Sequence, residues 1–517
     1  MKLKADLVVF NGNIITMDPQ KPLATAIAVK SYKILAVGDD EYAMSLIPSA
    51  KRVIDLDGKT VIPGFVDAHT HLTASGIKSM HVQLDKVHSI EGVQKELKRA
   101  LSRYSKDQWV LGFSWDESTW KVKRYVNGKD LDKVSTEHKI GVFRVDGHLV
   151  SVNSRGLQEL NIDFGQRGVE KDENGTPTGV LKDIEELYDC FQPSPQEIHQ
   201  GIIAGNKIAN ELGITAAVDN IWAGHARHIR EAERLNTLTV RMVINVPSEQ
   251  IDHMISLGLI SGMGSPMVRI GGVKSFIDGS IGASTAATSE PYANSKYNRG
   301  MLLMTQHEFS NLARKAVEND IQTVTHAIGD DAIELVLSAF ETLGNVAIIR
   351  RQRHRIEHAE MITLEQIRRA AALGLILSMQ PNFVGEWQMK DGLYYDRLGK
   401  ERTERMNLFR TVLDNGARIC FGSDGMPYGP LYGIWCAVNH PSPKGRITVE
   451  EAIRCYTMES AYASFMENNI GSITEGKRAD FVVLSDNILE APLDSIRDIE
   501  IEWTIVGGQV EYSAMGS

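Results

Sequence analysis

A chain of 517 residues, 43% hydrophobic and 24% charged, can bury a large core and is too long for one small domain. The net charge of -10 comes with no basic cluster, which argues against a nucleic-acid-binding face. No apolar run approaches the roughly 18 residues of a membrane span, and the segment from Met1 lacks the apolar core of a signal peptide. Cys190, Cys420, Cys436 and Cys455 form no C-x-x-C pair and most read as small core residues, so a reducing cytoplasm is the expected location.

In chain order, residues 1–60 alternate like short strands, with Asn11-Gly12 and Asp57-Gly58 as turns. An apolar strand follows over 61–69. The stretch from about 74 to 195 is too long for a strand-to-helix connection and carries strands of its own at 109–115 and 140–145, so it reads as an insertion over a barrel mouth. Beyond it, strands at 214–220, 240–246, 268–278, 321–326, 354–358, 375–380 and 418–424 alternate with helical stretches. Thr305-Gln-His-Glu308, Thr363-Leu-Glu-Gln366 and Thr448-Val-Glu-Glu451 are capping boxes, and Ser194-Pro195-Gln-Glu197 starts another helix. With the 61–69 strand this makes eight, which predicts an α/β (β/α)₈ TIM barrel over 61–469. Residues 470–517 return to strands (Asp480-Phe-Val-Val-Leu484, Trp503-Thr-Ile-Val506). Neither end can bury a sheet alone, so 1–60 plus 470–517 predict one small β-sandwich built from both termini.

The chemistry begins at Asp67-Ala-His69-Thr-His71. Histidines at i and i+2 on a strand share a face, and two imidazoles at its C-terminal end make half a divalent-metal site. His326, His358 and Asp424 end three later strands, and barrel active sites gather on that face. Imidazole with carboxylate suits zinc or a similar ion, which brings the pKa of a bound water to about 7. Asp424 is the candidate to take that proton and pass it to a leaving group. Singly, each strand-end histidine also has the form of an ordinary hydrogen-bonded residue; together the five favour metal. Asp67 points the same way as His69, to orient a ligand or to cap a turn. Trp115, Trp120 and Trp387 are candidates for an apolar pocket wall, and Gln380 for a polar contact. The glycines after Asp278 would let backbone approach a ligand.

The ordered set Pro63-Gly-Phe-Val-Asp67-Ala-His69-Thr-His71, His326, His358 and Gly422-Ser-Asp424 resembles the amidohydrolase superfamily over nearly the whole chain. Gly112-Phe-Ser-Trp115-Asp116, Arg144-Val-Asp146-Gly147-His148, Val273-Lys274-Ser-Phe-Ile-Asp278-Gly279 and His326-Ala-Ile-Gly329-Asp330 resemble its YtcJ-like (amidohydrolase-3) branch, which includes N-substituted formamide deformylases. The resemblance implies that Lys274 is carbamylated by CO2 and bridges two metals. His69, His71 and Asp424 would hold one and His326 and His358 the other. Without the carbamate, His69, His71, His326 and Asp424 would form a mononuclear site. Asp146, His148 and Asp278 would face the substrate, His148 as an oxyanion donor. The implied activity is hydrolysis of a non-peptide C–N bond in an amide, N-acyl or N-formyl compound by a metal-bound hydroxide. The alternatives are a deaminase or cyclic amidohydrolase on the same centre, or a non-catalytic ligand-binding or regulatory barrel. The expected partner is a small amide-type molecule, with no nucleic acid and no membrane, and a homodimer is compatible with the sequence.

Overall fold

Phe65–Thr70 (β1), Ile214–Asn220 (β2), Arg241–Pro247 (β3), Val268–Phe276 (β4), Gln322–Ala327 (β5), Arg355–His358 (β6), Ile376–Met379 (β7) and Arg418–Phe421 (β8) form one sheet in sequence order. Each strand runs parallel to the next. The computed structural model describes residues 4–515 apart from 118–119, 146–148, 167, 183, 185–189 and 294. Every residue of β1 and β2 is buried, as expected of strands covered on both faces. This is a TIM-like barrel with additional sheets. Helices enter between the strands where the capping boxes predict, at Thr305, Thr363 and Thr448. No helix among the described residues is long and apolar enough to cross a membrane.

Among the described residues no ladder joins β8 to β1, and side chains close that seam. The Asp67 carboxylate accepts from the Ser423 amide at 2.9 Å, the Ser423 hydroxyl at 2.6 Å and the His69 amide at 3.2 Å. The Asp424 amide donates to the His69 carbonyl at 2.8 Å. Gly422 allows this closeness, since a Cβ there would stand 2.4 Å from the His69 nitrogen. Asp67 thus caps the turn at His69 through its amide and also fixes the backbone of Ser423, next to Asp424.

The strand predicted over 61–69 is two strands. Thr60–Pro63 lies between Asn13–Ile15 and Phe481–Leu484 in a six-stranded sheet drawn from both termini, and Gly64 then hands the chain to β1. A Cβ at Gly64 would meet Thr215 Oγ1 at 2.2 Å, so packing against β2 requires glycine there. A four-stranded sheet contains Leu7–Phe10, Ala26–Lys30, Lys33–Gly38 and Arg52–Asp55. One apolar core joins the two sheets, with Val9, Ile27 and Val29 packed among Val61, Phe481 and Ile505.

Residues 73–205 are a second compact unit. Its six-stranded sheet contains Trp109–Trp115 and Lys139–Arg144 as parallel neighbours, over a core that holds Trp115 and Trp120.

Arg241, at the start of β3, is buried against Asp480 of the terminal sheets in a two-pronged ion pair (2.6 and 2.8 Å). Breaking such a pair strands a charge away from water, at a cost of about 3–5 kcal/mol. Arg241→Met should therefore lower stability by about that amount in urea unfolding. Arg241→Met with Asp480→Leu should regain most of the loss; a single variant as stable as the parent would contradict this role.

Candidate metal centre

His69 is the penultimate residue of a wholly buried strand, and its ring is fixed from below. Nδ1 meets the carboxylate of Glu357, which in turn accepts two hydrogen bonds from Arg355 (2.7 and 2.9 Å). Arg355 also donates to the Ala68 carbonyl at 2.6 Å and to Ser378 Oγ at 3.0 Å, tying β6 to β1 and β7. Burial would raise the Glu357 pKa, but the Arg355 charge and the hydrogen bond from His69 hold it well below the usual carboxylate range. A carboxylate can only accept, so Nδ1 carries the proton and Nε2 offers a lone pair to the barrel mouth.

Two further histidines are arranged by the same logic. His326 Nε2 donates to the Gly279 carbonyl at 3.0 Å, leaving Nδ1 free. His358 Nδ1 donates to Gln380 Oε1 at 2.7 Å, leaving Nε2 free; Gln380 Nε2 is itself held by the Ser378 carbonyl at 3.3 Å. The His358 and His326 ring centroids are 4.5 Å apart, and those of His358 and His69 are 4.8 Å apart. Burial, reinforced by nearby cations, lowers the pKa of His69 and His358 and brings His326 to about 3. All three are neutral at pH 7, the state that binds a metal.

Asp424 faces this group from beyond the end of β8. Its Oδ1 lies 3.2 Å from His71 Nε2 and 3.7 Å from His69 Nε2. The donor atoms of His69, His71 and Asp424 lie within 4.8 Å of one another. That Oδ1 is buried yet accepts no aligned hydrogen bond among the described residues. An orphaned carboxylate oxygen beside imidazole lone pairs is what a divalent cation would satisfy, so these residues fit a metal. His71 sits at the rim with 36% of its side chain exposed; burial opposes its charge, but Asp424 raises its pKa overall. His358 and Asp424 both adopt positive φ, 70° and 55°. Such backbone is uncommon outside glycine and persists where surrounding contacts impose it.

Lys274, from β4, reaches the same space. It is 6% exposed, and its Nζ lies 3.4 Å from His69 Nε2. Burial brings its pKa down to about 8 despite the Glu357 and Asp424 charges nearby.

The remaining candidates settle elsewhere, and several of them take roles other than those expected. Trp115 has no exposed surface, and its indole donates to the Val142 carbonyl at 3.3 Å, so it packs the core of the second unit rather than walling a pocket. Trp120 is likewise buried and bonded, to the Val87 carbonyl at 3.0 Å. Asp278 is buried, and its carboxylate accepts from the amides of Ala287, Ile328 and Gly329 at 2.8–3.0 Å, with burial raising its pKa to about 7. It braces the loops beside His326 instead of presenting a free carboxylate. Gln380 orients His358 rather than facing a substrate. Trp387 packs at a tilt on Phe383 beside Tyr394. Asp146 and His148 fall outside the described residues. Glu357 and Arg355 join the site without having been singled out by the sequence motifs, although charged residues at i and i+2 on a barrel strand signal an occupied interior.

The amidohydrolase family model matches residues 52–512. The chain is 30% identical to the putative amidohydrolase YtcJ of Bacillus subtilis, covering 97% of this chain and 98% of that one. It is 26% identical to the N-substituted formamide deformylase of Arthrobacter pascens, covering 99% of each. An uncharacterized metal-dependent hydrolase from Pyrococcus furiosus superposes with a TM-score of 0.81 at 26% identity, covering 94% of this chain and all of that one.

The geometry makes Glu357 the anchor of the His69 ring. Glu357→Gln should weaken zinc binding by about 10–100-fold, read by competition with a chromophoric chelator. Unchanged affinity in a variant with wild-type circular dichroism would contradict that assignment.

Proposed function

The chain belongs to the amidohydrolase family, and on that footing we propose that it hydrolyses a non-peptide C–N bond in an amide, N-acyl or N-formyl compound, with Asp424 as the proton carrier. The observation that carries this reading is the buried, unsatisfied Asp424 Oδ1 set 3.2 Å from His71 Nε2 and 3.7 Å from His69 Nε2. The N-substituted formamide deformylase similar over 99% of this chain supports the choice of bond.

His69, His71 and Asp424 would hold one divalent ion, with zinc the expected metal, and His326 and His358 a second. Such ions supply Lewis acidity and bring the pKa of water near neutrality. Lys274 would bridge them as a carbamate: an ammonium has no lone pair to give, whereas a carbamate is an anion with two oxygens. Burial of Lys274 and the approach of its Nζ to 3.4 Å from His69 Nε2 support the assignment. Asp424 takes the proton of the attacking water and hands it to the departing nitrogen, its aim set by the Asp67–Ser423 contacts and by its own amide bond to His69.

Asp424→Asn should lower kcat on any cleavable amide by about 100-fold or more, with circular dichroism unchanged. A variant at parental rate would sink the assignment of the proton carrier. Lys274→Met should bind fewer ions and lose any stimulation by bicarbonate; a full metal complement in that variant would remove the carbamate.

A further inference from the structure

Alternate residues of β4 face the barrel interior and climb from its floor to its rim: Gly272, then Lys274, then Phe276. Lys274 is only 6% exposed, whereas Phe276, one layer higher, is 47% exposed. The register of β4 against β5 pairs Phe276 with His326, so the two side chains leave the sheet on the same side. Their rings stand 5.3 Å apart, and the Phe276 ring lies 4.9 Å from Lys274 Nζ. A bare phenyl face thus borders two groups of the metal centre. Beside it, the Leu303 amide donates to the Ile277 carbonyl at 2.7 Å and Leu302 bridges to Asp278, which brings exposed Met301, Leu302 and Leu303 to the same lip.

We propose that Phe276 is a specificity-determining residue that packs against an apolar substituent, aryl or bulky alkyl, on the nitrogen or acyl side of the scissile amide. The assignment rests on the amide-hydrolase reading for the reaction and on geometry alone for the contact. An aromatic face left half in water gains by covering, at about 25 cal/mol per Å² of apolar surface. Its position within about a ring's width of His326 and Lys274 means that what covers it is attached to the reacting group. Anionic substituents would lose hydration against the electron-rich face of this ring without gaining a partner, so the surface selects against them.

The test compares wild type with Phe276→Ala, Phe276→Leu and Phe276→Tyr, using formanilide and formamide as probes. Because Phe276 is half-exposed and the proposal gives it no metal to bind, the variants should fold and load metal as wild type does. In metal-loaded protein, the ratio of kcat/KM for formanilide to that for formamide should fall at least about tenfold in Phe276→Ala and return in Phe276→Tyr. In metal-stripped protein, where no turnover occurs, calorimetry should show the Kd of formanilide rising by a similar factor. Equal ratios and equal Kd values in wild type and Phe276→Ala overturn the proposal. Absence of amide turnover by every protein, with formanilide binding still dependent on Phe276, overturns the amide reading and upholds the contact.

Discussion

A carboxylate buried beneath a histidine organises this molecule. Glu357 is held by Arg355 on one side and meets His69 Nδ1 on the other. Burying such charges costs free energy unless each is fully paired. Here the guanidinium also satisfies the Ala68 carbonyl and Ser378, so the penalty is offset by contacts that join three strands of the barrel. The product of that arrangement is directional: His69 cannot turn, and its free nitrogen points into the space shared with His71, Lys274 and Asp424. The Gly279 carbonyl and Gln380 impose the same restriction on His326 and His358. A centre built this way is oriented before any ion arrives.

Much of this is legible in the chain because it depends on periodicity. The i, i+2 spacing of His69 and His71, the capping threonines and the eight strand positions all follow from local rules, and the folded strands occupy those positions. What local rules do not show is which interior groups meet. Glu357 looks like any strand residue until β1 and β6 are brought face to face. Gln380 and Asp278 stand at strand ends, where a substrate contact is the natural expectation, yet each is consumed by a neighbour: the His358 ring for one and three backbone amides for the other. Trp115 falls on a strand of a separate unit with its own core, and a large aromatic with an available carbonyl partner packs inward. The split of the 61–69 strand at Gly64 is hidden because both halves are apolar; only the close approach of Thr215 shows why the chain changes sheets there.

The rim follows a different rule from the floor. Below, nearly every polar atom has a partner, and the histidines are neutral because water is excluded. Above, His71 and Phe276 keep substantial exposed surface. That gradient matches a site in which the protein prepares the reacting groups and leaves the substrate to cover the remaining surface.

The claim on which the rest stands is that His69, His71, His326, His358, Lys274 and Asp424 form a metal centre. Metal content of protein purified without chelator, measured by inductively coupled plasma mass spectrometry, tests it most directly. The proposed carbamate-bridged site predicts about two divalent ions per chain. No bound ion, even after supply of zinc and bicarbonate, would contradict it.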